Sequence, residues 1–255
     1  MPIRSTWLCL DLSSSGARVA FGRGGRPGEV SDVPVGKLGG SPAEVLAAVG
    51  PGIEEAAVRL RALREMPPAD GVLAALPDAW FRVGLVRRDR AVSRGRARDY
   101  FRWKATVDWG LPTDETVYDW QPTAPPWVRE APFLLAAAAP ETARAIELPI
   151  AGLPVLLAVP RCIAAWNAGV ASAMGAEAFV LADGNAFALF GTVGGRLRYF
   201  RSRACADGSE RDAEAAETVR HFGETIGRGV EVRALGHGAP VAGLVRHPLA
   251  SGIFA

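Results

Sequence analysis

Between residues 87 and 102 the chain carries Arg87, Arg88, Arg90, Arg94, Arg96, Arg98 and Arg102, with Tyr100, Phe101 and Trp103 among them. Such a cluster sets up a local positive field even in a chain whose formal net charge is only +2. That field could hold anionic lipid head groups or an acidic partner, and the interleaved rings could also stack on single-stranded nucleic acid. Asp89, Asp99 and Asp108 lie close enough in sequence to pair with part of it, which would leave an ordinary solvated face. Trp103, Trp109, Trp120 and Trp127 follow one another, with Pro122, Pro125 and Pro126 between the last two. They either fill the core of a small unit or line a peptide groove. Arg98, Arg102, Trp103 and Trp120 are accordingly the candidate partner-binding residues. Two short acidic turns stand apart from this region, Asp11-Leu-Ser-Ser-Ser15-Gly16 and Asp183-Gly184-Asn185. The hydroxyls of Ser13 to Ser15 can serve simply to close a tight turn on its own backbone.

The remaining chemistry-bearing residues give less. Cys9, Cys162 and Cys205 are odd in number and scattered, without the CxxC or Cys/His spacing that holds a metal. Buried thiols in a reducing cytoplasm are the expectation. His221, His237 and His247 have no nucleophile at a recognisable spacing, so no catalytic residue is assigned. Positive charge sits almost wholly on arginine, Lys37 and Lys104 being the only lysines, as a GC-rich genome alone would produce.

The elements that must position these residues can be read from pattern. Trp7 to Asp11 is a short apolar run ending in an acid, and Ala17 to Phe21 alternates after the serine turn, so two strands joined by a polar turn are predicted. Val30 to Val35 suggests a third strand. Ser41-Pro-Ala-Glu44 is a helix start with a capping box and proline at the first position. Pro51-Gly52 is expected to interrupt that helix, with a better one from Ile53 to Leu63. Gly71 to Leu76 is a buried strand. Phe81 to Val86 is another strand and Asp99 to Val107 a helix with Tyr100, Trp103 and Lys104 on one side. Thr116 to Trp120, Phe133 to Ala139 and Leu153 to Val159 read as strands, with helices from Pro140 and from Arg161 to Met174. The last third restarts the opening pattern: Ala178 to Ala182, an acidic glycine turn, Ala186 to Val193, Gly194-Gly195, then Leu197 to Arg201. A helix over Ala213 to Ile226 and a strand over Val230 to Leu235 lead to Gly236-His237-Gly238.

With 255 residues, 49% hydrophobic and 22% charged, the chain can bury a substantial core and is organised as one compound domain or two lobes. The N-terminal Met1-Pro-Ile-Arg-Ser-Thr6 has no charged-then-apolar signal pattern. Apolar stretches such as Phe133 to Ala139 fall far short of the ~20 residues of a membrane-spanning helix, so no direct span is expected.

Two halves that each begin strand, acid-bearing small-residue turn, strand resemble the actin-like ATPase superfamily. Within it the chain is similar to the pilus assembly family PilM and to the cytoplasmic part of the secretion family GspL. The match is densest at Leu76-Pro77-Asp78, at Tyr100-Phe-Arg-Trp103-Lys-Ala105, and at Gly110-Leu-Pro112-Thr-Asp-Glu115-Thr-Val-Tyr-Asp119-Trp-Gln121. Phe133 to Ala139 with Gly152-Leu-Pro-Val resembles the next segment. The resemblance implies an α/β, actin-like (ribonuclease H-like) duplicated two-lobed fold with a small inserted subdomain and a reduced second lobe. Residues 1–80 and 151–174 would form the first lobe, 81–150 the insertion and 175–255 the second lobe.

It further implies a cytoplasmic scaffold, peripheral to the inner membrane, in a type IV pilus or type II secretion assembly complex. Its partner would be the cytoplasmic tail of a single-span inner-membrane protein, with an assembly ATPase as a further partner and no nucleic acid. Members with an active cleft cradle phosphates in the backbone of two turns and hold hydrated Mg²⁺ through an acid near the first. Carried over, the cofactor-binding positions would be Asp11, Ser13, Ser14, Ser15, Asp183, Gly184, Gly236 and Gly238, with Asp11 the metal position. The second cradle departs from the pattern: alignment through Gly194-Gly195 puts Leu181 at the second acid, and Phe187 is expected to obstruct a triphosphate. No cofactor is therefore expected, ATP–Mg²⁺ being the one the fold leaves open, and the rival reading is an actin-like phosphotransferase of the sugar-kinase kind with a degenerate cleft.

Overall fold

The computed structural model describes residues 6–23, 26–35, 40–89, 91–112, 116–123, 131–168, 175–236 and 239–246. The first sheet opens with β1 (Thr6–Ser13), β2 (Gly16–Arg23) and β3 (Arg26–Val33), an antiparallel meander. Helix α1 (Pro42–Arg64) then crosses to β4 (Gly71–Leu76), which pairs parallel to β1, and β8 (Val155–Pro160) pairs parallel to β4. The strand order is β3-β2-β1-β4-β8. Leu8, Cys9 and Leu10 are all fully buried because β1 is central and covered on both faces. Leu8, Leu10 and Leu12 pack with Val45, Val49, Ile53 and Leu60 of α1, while Cys9 faces the other way.

Helix α1 starts as its sequence dictates. Ser41 accepts the Glu44 amide, and the Glu44 carboxylate accepts the Ser41 amide at 2.7 Å. It does not break at Pro51-Gly52, however, and runs unbroken for 23 residues. The apolar face continues in register through Val49, Ile53 and Ala56, and its burial outweighs the one hydrogen bond that Pro51 removes. Gly52 serves packing: a β-carbon there would press on Val33 of β3.

The second sheet repeats the first. β9 (Ala176–Asp183), β10 (Ala186–Val193) and β11 (Arg196–Ala204) form a meander, and α5 (Gly208–Ile226) leads to β12 (Glu231–Ala234), parallel to β9. The order β11-β10-β9-β12 matches β3-β2-β1-β4 strand for strand. Asp207 caps α5 by accepting the Glu210 amide at 2.9 Å. A final helix, α6 (Ala239–Arg246), which the sequence pattern did not suggest, lies across the first sheet and against α4 (Arg161–Asn167). Helix α4 follows β8 directly; residues 169–174, where the pattern extends the helix, lie outside the described residues.

Between β4 and β8 the chain builds a third, antiparallel sheet, β5 (Phe81–Val86), β6 (Val117–Pro122) and the central β7 (Phe133–Ala138). Helix α2 (Ala97–Trp109) covers one face, burying Ala97, Phe101 and Ala105 on Leu135 and Ala137. Alternate residues Leu134 and Ala136 point to the opposite face, as the pleat requires. Helix α3 (Pro140–Ile146) returns to pack on α1. One core joins all three sheets: Cys9, Leu73 and Val159 from the first, Leu134 and Ala136 from the third, and Phe179, Leu181 and Phe190 from the second. No helix of the described residues is long and apolar enough to cross a membrane.

Candidate functional site

The two acidic turns meet between the lobes. In the β1–β2 turn, Ser13 Oγ donates to the Gly16 carbonyl at 2.8 Å and accepts the Ser15 amide at 3.3 Å, so the turn closes on its own hydroxyl. Ser14 reaches across: its amide and its Oγ donate to Asp183 Oδ1 at 2.8 and 2.6 Å. Gly184 takes a left-handed φ of +57°, and a β-carbon there would collide with Ser14 Oγ. Arg211 of α5 donates to the Gly184 carbonyl and steadies the second turn.

Behind these turns sits Arg161, the first residue of α4, 1% exposed. Its Nε donates to Asp11 Oδ1 at 2.5 Å and its Nη2 to Asp11 Oδ2 at 3.3 Å. Its Nη1 lies 3.0 Å from Asp183 Oδ2, an ion-pair distance off the line of a hydrogen bond. One guanidinium thus joins an acid of each lobe. Asp11 is itself 1% exposed, and Arg18 approaches it to 3.8 Å from β2. Burial pushes the Asp11 carboxyl upward; Arg161 and Arg18 oppose the shift without cancelling it. Burial also disfavours the charged guanidinium, but Asp11, Asp183 and Asp78 more than restore it, and Arg161 stays charged.

Asp78 completes the cluster from the short 3₁₀ turn after β4. Its Oδ1 accepts the Cys162 amide at 2.9 Å, capping α4 from another element. The residue is half-buried, but its carboxyl is turned inward, and desolvation pushes it up to about 6 from its ordinary 3.8. The folded state therefore holds more protons than the unfolded chain between about pH 4 and 6, and stability from this group falls as pH rises through that window. Asp78→Asn keeps an acceptor for the Cys162 amide. It is expected to gain roughly 1–2 kcal/mol at pH 7.5, below the ~3 that the full shift converts to because the residue is partly exposed. Thermal melts at pH 5 and 7.5 check this; a variant less stable than the parent at pH 7.5 would refute it. The neighbouring thiols are quiet: burial raises Cys9 to about 12 and Cys162 well above its ordinary value.

Every polar group that the sequence offered as a first cradle is thus engaged within the protein. Asp11 faces a guanidinium where a hydrated Mg²⁺ would have to stand, and the two do not fit together. Among the described residues no cluster of three His, Cys, Asp or Glu side chains could hold a metal. Counted back from the turns, Leu181 holds in β9 the place of Asp11 in β1, and Asp183 that of Ser13. Phe187 does not stand in the phosphate position as expected. The pleat of β10 turns it away from the cleft into a core with Val219 and Ala215 of α5. Gly236 follows β12, its carbonyl accepting the Ala239 amide at 3.0 Å; Gly238 lies outside the described residues.

The candidate partner residues divide. Arg98, Arg102 and Trp103 are exposed on α2, and the Tyr100 and Trp103 rings are 5.9 Å apart with Lys104 over Trp103. Trp120 is half-buried beneath the helix, 4.9 Å from the Phe101 ring and stacked on Tyr118, so it packs against the core of the third sheet. Trp127 lies outside the described residues. Pattern reading missed Arg161, although a clue was present: a cation at the first position of a helix opposes the macrodipole and calls for a nearby carboxylate.

Neither a protein-family model nor a curated protein matches this sequence. Solved structures do. The chain superposes on a PilM–PilN type IV pilus biogenesis complex with a TM-score of 0.60 and 16% identity, over 88% of this chain and 71% of the other. A Bacteroides thetaiotaomicron protein with an actin-like ATPase fold gives 0.54 and 7% identity over 91% and 82%. The cytoplasmic domain of EpsL, an inner-membrane component of the type II secretion system of Vibrio cholerae, gives 0.48 and 10% over 78% and 71%. At such identities it is the backbone that is shared, and the first two superpositions agree with the paired meanders described above: the chain has the actin-like ATPase fold.

Proposed function

We propose that this chain is a cytoplasmic scaffold of a type IV pilus or type II secretion inner-membrane assembly complex, binding the cytoplasmic tail of a membrane partner and turning over no nucleotide. The observation that carries the reading is Arg161, whose charge answers Asp11 and Asp183 together and fills the cleft with protein. A cleft closed by its own guanidinium is suited to holding shape for partners. The likeness to PilM, solved in a complex with PilN, supplies the kind of partner. An assembly ATPase is a second partner consistent with this role, and the protein sits at the inner membrane through its partners.

Isothermal titration tests both halves. Peptides corresponding to the cytoplasmic segments of single-span membrane proteins encoded beside this one are expected to bind, and ATP with Mg²⁺ to give no heat. Turnover of ATP, or silence from every tail peptide, would sink the proposal.

A further inference from the structure

Helix α2 carries an exposed apolar ridge between two lines of arginine. Trp103 is 55% and Val107 59% exposed, and the two stand one turn apart. On one flank are Arg98 and Arg102, also one turn apart, with the Arg102 guanidinium 5.5 Å from the Tyr118 ring of β6. On the other, Tyr100 Oη donates to the Arg87 carbonyl at 2.9 Å, which brings the Arg87–Arg88 exit of β5 alongside. Arg96 stands at the head of the helix. None of Arg87, Arg88, Arg96 or Arg98 forms an ion pair among the described residues. Of the nearby acids, Asp108 is held by Lys104 at 2.8 Å, while Asp89, which accepts the Ala91 amide, and Asp99 are exposed counter-charges, fewer than the arginines they face.

We infer that this face docks on an anionic membrane surface. Unneutralised arginines are drawn to anionic head groups, and their long stems let the charge lie in the head-group layer while the helix approaches. An indole and a valine on the ridge between them bury apolar area at the same boundary. A stacking platform for single-stranded nucleic acid needs several free ring faces, and here Phe101 is wholly buried and Tyr100 is tied to Arg87. A protein tail is also the poorer occupant. Cytoplasmic segments next to membrane spans carry an excess of Lys and Arg, so this face would repel them and attract the lipid around them. The cellular setting rests on the scaffold reading above; the contact itself needs no tail.

Co-sedimentation with phosphatidylcholine vesicles, with and without phosphatidylglycerol, tests it on the full chain. Binding is expected only with phosphatidylglycerol and should weaken as salt rises. The double variant Arg98→Gln/Arg102→Gln should lower the partition about tenfold or more. Trp103→Ala should remove the part of binding that survives high salt, and both variants should keep the circular dichroism of the parent. Equal sedimentation with neutral vesicles, none with anionic ones, or capture by a polyglutamate peptide in preference to vesicles would overturn the inference. Vesicle binding lost while a tail peptide still titrates would sink this inference alone, whereas vesicle binding without any tail would support it and sink only the scaffold reading.

Discussion

Arg161→Met is expected to cost about 3–5 kcal/mol of folding stability, because removing one partner of a buried ionic cluster strands the charges that remain. Asp11 would lose both its hydrogen bonds to the guanidinium and keep only a 3.8 Å contact with Arg18, while Asp183 would keep Ser14 but no cation. Methionine fills much the same volume, so the loss reports charge rather than a cavity. The deficit should be larger at pH 7.5 than at pH 5, since carboxyls whose affinity for protons is already raised by burial can neutralise themselves in acid. Arg161→Lys should recover little, because a single ammonium cannot span Asp11 bidentately and still reach Asp183. The decisive comparison is the triple variant Arg161→Met/Asp11→Asn/Asp183→Asn. It should regain most of the stability lost by the single change, as expected for a buried ionic group replaced whole. A single variant that melts like the parent would show that the cluster contributes nothing to holding the lobes together.

Gly243→Ala is expected to be nearly as damaging, at about 3 kcal/mol, although it adds one methyl group. Gly243 is where α6 crosses α4, and a β-carbon there would fall inside the Ala164 carbonyl and within 3.1 Å of the Ala168 amide. Both neighbours are backbone, so no side chain can turn aside. The helices must separate, and α6 would lift Val241 and Leu244 from the central core. Hydrogen exchange should show lost protection in α6 first. Equal stability of the Gly243→Ala variant and the parent would mean the crossing is looser than described.

The paired meanders were legible because strand alternation and acidic turns are local features, and each of the two turns fell where the pattern put it. The failures came where tertiary packing overrode a local rule. Pro51 reads as a break, yet the apolar face of α1 carries the helix through it. Alignment through the glycine turn puts Phe187 in the cleft, whereas the side it occupies follows from the pleat of β10 and the helix that covers it. Trp103 and Trp120 look alike in sequence, and only the placement of α2 over the third sheet separates the exposed ring from the half-buried one. Arg161 was invisible as a functional residue because its partners are 150 residues away in one lobe and at the far end of the next strand in the other.

Helix α4 is seven residues long and has more neighbours to satisfy than any element of its size should. Arg161 answers two acids, the Cys162 amide is claimed by Asp78, Ala164 lies under α6, Trp166 stacks on Phe190, and Asn167 exchanges hydrogen bonds with Gln121 of β6. All three sheets therefore converge on one short stretch. Such a stretch admits few alternative spellings, whereas a long amphipathic helix such as α1 tolerates many. A chain that keeps this three-sheet junction is therefore expected to keep the residue types of α4 more closely than those of its longer helices.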